Sequence, residues 1–235
     1  MIDSLQVSVV IPVFNEELVL HKFYPRLKKE AESWGKSYEI LFVDDGSTDN
    51  SLELICKWKK VDSSIRVIKF TRNFGQQAAV LAGFRESRGN IVVQIDSDLQ
   101  NPPEEIKRLL DAFTDEIDLV VTTPRKRRDS SLRIIGSKAL HFLAQALFGN
   151  RFKLNLSSFR AMRRSVIEKI DQCQDRSRYM AVLMSWMAVP TVNVEVDHHS
   201  RKIGQTKYGV LPLLRLTWDL ITGFSNFPLR LVTYL

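Results

Sequence analysis

The sequence predicts an α/β fold built on a mostly parallel sheet flanked by helices. Three observations carry this. Through the first half of the chain, short β-branched runs alternate with segments of helical periodicity. The runs are apolar almost throughout, as in strands buried on both faces. Polar clusters follow several of these runs, at the strand ends where open α/β sheets bind ligands.

The elements follow in order. VSVVIPV (7–13) is the first strand. Leu18, Leu20, Phe23, Leu27, Ala31 and Trp34 recur at helical spacing between Glu16 and Trp34, and Gly35 stops the helix. YEILFV (38–43) is the second strand and runs into DDGSTD. Asp49 or Asn50 caps a helix from about Ser51 to Lys60. IRVIKF (65–70) is the third strand, followed by a helix from about Gly75 to Ser87. NIVVQI (90–95) is the fourth strand and ends in DSDLQ. Pro102 and Pro103 open the next helix, since proline suits a first turn. DLVVTT (118–123) is the fifth strand.

Beyond this strand the pattern loosens. Ser130 to Phe148 reads as an amphipathic helix with basic flanks. FRAMRRSVIEKI turns from a strand into a short helix, Arg178 to Met187 is helical, and TVNVEV (191–196) is a strand. From Leu211 to Leu235 the chain is apolar and aromatic, with only Arg215, Asp219 and Arg230 charged. There is no internal repeat and no low-complexity linker, which favours one domain with a C-terminal appendage.

Composition narrows the function. The chain has 235 residues, 44% hydrophobic and 26% charged, which excludes disordered and collagen-like classes. Its net charge of +7 is unevenly spread. Residues 1–121 carry 15 basic and 20 acidic side chains, whereas 122–170 carry 12 and 2. So local a positive field points to an anionic partner: phosphate groups, nucleic acid or an anionic membrane surface. Arg125-Lys126-Arg127-Arg128 lacks interleaved aromatics, which argues against nucleic acid. Cys56 and Cys173 are too few for a disulfide scaffold and read as reduced thiols. The N-terminus lacks the pattern of a signal peptide. The longest uncharged run, Tyr179 to Val194, is 16 residues and contains Pro190. A span needs about 20 apolar residues, so this run reads as a buried helix turning into a strand. The chain ends in LRLVTYL, and the expectation is that a membrane segment follows.

Four strand-end motifs carry the chemistry. Asp96-Ser97-Asp98 places two carboxylates at i and i+2 after a buried strand, where they can converge on one divalent ion, with Gln100 adding an amide oxygen. Hard oxygen ligands suit Mg²⁺ or Mn²⁺, which share their shell with substrate phosphates. Val43-Asp44-Asp45-Gly46-Ser47-Thr48-Asp49 is the second motif. A turn and a cap account for Ser47 to Asp49, and less well for two adjacent acids that could accept hydrogen bonds from a nucleobase or ribose. Ile11-Pro12-Val13-Phe14-Asn15-Glu16 and Arg72-Asn73-Phe74-Gly75-Gln76-Gln77 are two further strand-to-helix passages. His198-His199 resembles a metal pair, but neighbours on a strand point to opposite faces, so zinc is disfavoured. His21 and His141 read as surface or satisfied residues, and Trp34, Trp58 and Trp186 as packing.

IPVFNE, VDDGSTD, RNFGQQAAVLAGF and DSDLQNPPE occur in the order and spacing of family 2 glycosyltransferases with the GT-A fold. More narrowly, with RKRRDSSLRIIGSKAL, SSFRAMRRSVIEKI, HHSRKIGQTKYG and DLITGFSNFPLRL, the chain resembles polyprenyl-phosphate glycosyltransferases, nearest the bacterial arabinose-type and glucose-type enzymes. The resemblance implies that Pro12, Asn15, Glu16 and Asp44 line a nucleotide pocket, with Gly75 and Gln76 beside it. It implies that Asp96, Asp98 and Gln100 hold Mg²⁺ or Mn²⁺ against the donor diphosphate. Arg125, Arg133, Ser137, Arg201 and Lys207 match positions around the donor and acceptor phosphates. Some bacterial relatives have an acidic residue just before the Phe-Arg pair. Here Ser157-Ser158 precede Phe159-Arg160, which weakens any carboxylate base at that point.

The function so implied is metal-dependent, inverting transfer of a sugar from a nucleotide sugar, UDP-linked, to a polyprenyl (undecaprenyl) phosphate. The chain would lie at the cytoplasmic face of the cell membrane, with monomer and homo-oligomer both open. Residues 1–209 would form the catalytic domain, 1–123 for the nucleotide sugar and 124–209 for the acceptor, with 210–235 as a membrane-proximal helical segment. Two rivals remain at this stage: a family 2 transferase with a soluble or polymeric acceptor, and a nucleotide-sugar-binding protein without turnover.

Overall fold

The computed structural model describes residues 5–125, 157–173, 180, 183–184, 187 and 189–199. The chain divides into two compact units. The first comprises Met1–Lys126, Ser157–Gln172 and Val189–Ile203. The second comprises Arg127–Leu156, Cys173–Ala188 and Gly204–Leu235, of which only scattered positions are described. Among those, Met180, Leu183 and Met184 are helical and buried, as the helical reading of 178–187 expects. The helix at 130–148 and the segment 210–235 lie outside the described residues.

The first unit is built on one seven-stranded sheet. Its strands are β1 (Val7–Val13), β2 (Tyr38–Asp44), β3 (Ile65–Lys69), β4 (Ile91–Gln94), β5 (Leu119–Pro124), β6 (Arg160–Arg163) and β7 (Thr191–Val196), in the spatial order β3-β2-β1-β4-β6-β5-β7. Four pairings are parallel, β1 with β2 and β4, β2 with β3, and β5 with β7. β6 runs antiparallel to both of its neighbours, which makes the sheet mixed.

The two faces are covered by different helices. The odd residues of β1 (Val7, Val9, Ile11, Val13) join Leu20, Phe23 and Leu27 of α1 (Glu17–Glu32), Ile55 of α2 (Ser51–Val61) and Ile106 and Leu109 of α4 (Ile106–Asp111) in one core. All seven β1 residues are buried, which explains the unbroken apolar run. Each such side chain contributes about 1.5–3 kcal/mol by leaving water. On the other face α3 (Gln76–Glu86) lies so close to β1 and β2 that a Cβ at Gly83 would strike Val10 and crowd Val43. α5 (Arg164–Gln172) sits beside α3 through the Arg85–Asp171 ion pair. α1 contains Pro25, which is exposed, and ends before Gly35 in the left-handed region at φ 62°. Pro103 opens a 3-10 turn (Pro103–Glu105) that leads into α4. β7 is the sheet edge, and its burial alternates accordingly.

Two of the tryptophans read as packing behave so, and Trp186 lies outside the described residues. Trp34 is buried against the core, and Trp58 stacks on Tyr24 at 4.4 Å with His21 edge-on to it. Neither Cys56 nor Cys173 is joined in a disulfide.

Candidate active site

β1 is the switch point of the sheet. From it the chain builds outward to β2 and β3 on one side and to β4 on the other. Crevices outside the carboxyl ends of strands at such a point bind ligands. The β1–β4 ladder stops there for a chemical reason. The Val10 carbonyl accepts from Ile95 N at 3.2 Å, and the next amide facing β4 belongs to residue 12, a proline with no N–H. The two chains can therefore part above Ile95.

The turns after β1 and β2 are laced together by side chains. Asn15 takes a left-handed backbone (φ 54°), which asparagine tolerates. Its Oδ1 accepts from Thr48 N at 2.8 Å and Asp49 N at 3.4 Å, and its own N–H donates to Ser47 Oγ at 3.1 Å. Glu16 N donates to Ser51 Oγ at 3.0 Å, and Glu17 N donates to Asp49 Oδ2 at 3.2 Å. Of the two caps offered for α2, Asp49 is the one that acts, accepting from Ser51 N at 3.0 Å. Asn50 makes no cap bond and donates to Glu17 instead. Burial pushes the Asp49 carboxyl up, but its hydrogen bonds outweigh this and hold it below the usual range.

The acids ending β2 divide their work. Asp45 ties the neighbouring turn, with Oδ1 accepting from Phe74 N at 2.7 Å and Oδ2 from Gly75 N at 2.9 Å. Burial raises its pKa against these bonds. Gly46 and Gly75 make the approach possible. Both have positive φ, and a Cβ on Gly46 would lie 2.5 Å from the Arg72 carbonyl carbon. Asp44 is fully buried; its Oδ2 accepts from Ser47 N at 3.3 Å, and its Oδ1 has no partner among the described residues. A buried carboxylate oxygen without a donor is costly, and one beside a crevice is suited to a ligand N–H or O–H.

The DxD turn follows β4. Asp96 Oδ1 accepts from Gln76 Nε2 at 2.7 Å, and Oδ2 accepts from Ser158 Oγ at 2.6 Å. Burial raises the Asp96 pKa; the Asp98 charge adds to this, while Ser158, Arg160 and Gln76 oppose it. Asp98 Oδ1 accepts from Gln100 N at 3.0 Å, closing a turn whose middle residue, Leu99, stands at φ 60°. The Gln100 carbonyl accepts from His199 N at 2.9 Å. Among the described residues no three His, Cys, Asp or Glu converge. Two carboxylates of like charge, with an amide close by, fit a hard divalent ion whose remaining ligands come from substrate phosphates.

The structure thus gathers Pro12, Asn15, Glu16, Asp44, Gly75, Gln76, Asp96, Asp98 and Gln100 at the carboxyl ends of β1–β4. Arg125 follows β5 and is exposed, with Nη1 3.5 Å from Asp197 Oδ1. Arg133, Ser137, Arg201 and Lys207 lie outside the described residues. The strand reading of His198-His199 is corrected: β7 ends at Val196, so the argument from opposite faces does not apply. Both are exposed, with His198 Nδ1 3.3 Å from Asn101 Oδ1. Three contributors went unassigned in the sequence: Asp45, Ser158 and Arg160. Only the doubling of acids at 44–45 signalled the first.

Comparison with known proteins shows the family and the fold. The pattern of Glycosyl transferase family 2 matches residues 8–171. An undecaprenyl-phosphate 4-deoxy-4-formamido-L-arabinose transferase of Aeromonas hydrophila is 40% identical over 98% of this chain and 71% of its own length. One from Salmonella paratyphi B is 39% identical over the same shares. Among solved structures, glucosyl-3-phosphoglycerate synthase from Mycobacterium tuberculosis, in complex with Mn²⁺, UDP and glucosyl-3-phosphoglycerate, superposes with a TM-score of 0.64 at 19% identity, covering 92% of this chain and 79% of that one. A mannosyltransferase from Pyrobaculum calidifontis with GDP-Man and Mn²⁺ gives 0.62 at 16%, over 89% and 60%. These two show the fold.

Proposed function

The chain belongs to glycosyl transferase family 2, and from that premise we propose that it moves a sugar from a UDP-linked donor to undecaprenyl phosphate at a membrane surface, inverting the anomeric centre. The observation that carries this reading is the pairing of Asp44, with its unpartnered buried oxygen, and Asp96-Asp98 on either side of β1. One suits the nucleoside and the other a metal-bound diphosphate. The acceptor is taken from the two arabinose-type relatives, which share about two residues in five with this chain over nearly its whole length.

In this reading Asp44 Oδ1 accepts from the nucleotide, within walls formed by Pro12, Asn15, Glu16, Gly75 and Gln76. Asp96, Asp98 and Gln100 would hold Mg²⁺ or Mn²⁺, which would supply positive charge to the leaving diphosphate. Arg125, Arg133, Ser137, Arg201 and Lys207 hold and orient the incoming phosphate, arginine's planar fork matching its oxygens. A lipid phosphate oxygen forms the new bond to the anomeric carbon as the bond from that carbon to the diphosphate breaks. The nucleophile is already an anion at neutral pH, so these residues need only bring two anions together in line. Ser158, where some relatives carry an acid, fits a site without a carboxylate base.

The test is transfer from UDP-linked 4-deoxy-4-formamido-L-arabinose and from UDP-glucose to undecaprenyl phosphate, with Mg²⁺ and with Mn²⁺. The product's anomeric configuration is read by NMR. Net retention overturns the single displacement, and transfer independent of lipid phosphate overturns the acceptor. Liposome flotation with and without residues 210–235 tests membrane binding; equal binding counts against that segment's part.

A further inference from the structure

Resting on the proposed reading, we infer that Gln76 and Ser158 are positioning residues that fix the plane of Asp96 for the metal. A carboxylate on a short side chain can turn about its last bond, and a turned carboxylate presents the wrong lone pairs. Asp96 is held from two sides. Gln76 Nε2 donates to Oδ1 and Ser158 Oγ donates to Oδ2, at 2.7 and 2.6 Å. Each oxygen accepts one bond and keeps a lone pair for an ion.

The donors come from distant parts of the chain. Gln76 opens α3, and Ser158 precedes β6. Gln76 also follows Gly75, whose N–H is fixed by Asp45 at 2.9 Å. One continuous set of bonds therefore runs from the end of β2, through Asp45, Gly75 and Gln76, to Asp96 at the end of β4. Behind it the side chain of Arg160, 4% exposed on β6, lends positive charge to Asp96. Every contributor is a donor or a cation, which opposes the effects of burial and of the Asp98 charge on Asp96. An acid at position 158 would set a third carboxylate against this pair.

Outer donors of this kind tune metal affinity ten- to hundredfold. The experiment titrates Mn²⁺ into the full chain with saturating UDP and reads free Mn²⁺ by electron paramagnetic resonance. Ser158→Ala and Gln76→Ala should each raise the Mn²⁺ dissociation constant about tenfold or more. Ser158→Thr, which keeps the hydroxyl, should stay close to wild type. In transfer assays the metal requirement of the Ala variants should rise more than kcat falls. Their unfolding midpoints without metal should match wild type. Ala variants that bind Mn²⁺ like wild type overturn the inference, as does a loss of affinity matched by a loss of metal-free stability. A wild-type chain that binds no Mn²⁺ with UDP overturns the proposed function and this inference with it.

Discussion

At the amino ends of β1, β2 and β3 the buried polar groups satisfy one another. Ser8 Oγ donates to Glu39 Oε1 at 2.6 Å and accepts from Gly89 N at 2.8 Å. Arg66 Nη1 donates to Glu39 Oε2 at 2.9 Å, and Arg88 N donates to Oε1 at 2.7 Å. Arg164 caps the Gly89 carbonyl. Nearby, Asp62 meets Tyr24, Lys28 and Ser64, and these partners overcome burial to drive its carboxyl far below the usual range. At the carboxyl ends of the same sheet, burial pushes Asp45 and Asp96 upward, and Asp44 keeps an oxygen with no donor among the described residues. The same residue types are stabilising at one end and costly at the other. A closed network holds a fold; an open one is completed by a ligand.

Substitutions should separate the two ends. Asp98→Asn is expected to cut sugar transfer by about 10²–10³-fold in a radiolabel assay. Its unfolding midpoint should stay level or rise, since one of two like charges is gone. Glu39→Ala should act in reverse. It removes a buried acceptor from Arg66, Arg88 N and Ser8, costing about 2–3 kcal/mol in urea unfolding, with UDP affinity per folded molecule unchanged. Asp44→Asn should weaken UDP binding about tenfold in calorimetry without loss of stability. If it destabilises the free chain, Asp44 belongs with the closed end instead.

The smallest effect is on pH dependence. Asp45 and Asp96 have raised folded values, so the folded chain binds more protons and their cost fades as pH falls toward the unfolded value of 3.8. Asp62 has a lowered value, so its contribution is present above 3.8 and is lost as pH falls below it. Urea melts on the acid side should therefore show the wild type losing stability chiefly below that value. Asp62→Asn should flatten the fall. Mn²⁺ affinity should decline earlier, as Asp96 takes up its proton.

Much of this was legible in the sequence. The five apolar runs of the first half are strands because burial on both faces demands such composition, and the acids after them stand at the site. What escaped depends on contacts far along the chain. Nothing local in FRAM tells that β6 runs antiparallel between β4 and β5. Asp45 looked like half of an acidic pair, and its partners lie about thirty residues away. Asp49 and Asn50 are equally good caps by residue type; Asp49 prevails because its other oxygen also holds Glu17 N. The histidines at 198–199 were misread because a strand rule was applied beyond the strand's end at 196, where neighbouring side chains need not alternate.

Leu99 gives the site a further property. A leucine in the left-handed region stores about 1–3 kcal/mol of strain, and its side chain rests against the core, which keeps it there. The loop is bent in advance, so in the proposed reading a diphosphate arriving at Asp98 would meet a turn already formed. Association should then proceed without a slow rearrangement, and little ordering entropy should be lost on the protein's side. Relaxing that bend with glycine would steady the empty chain while leaving the turn to be assembled anew at each turnover.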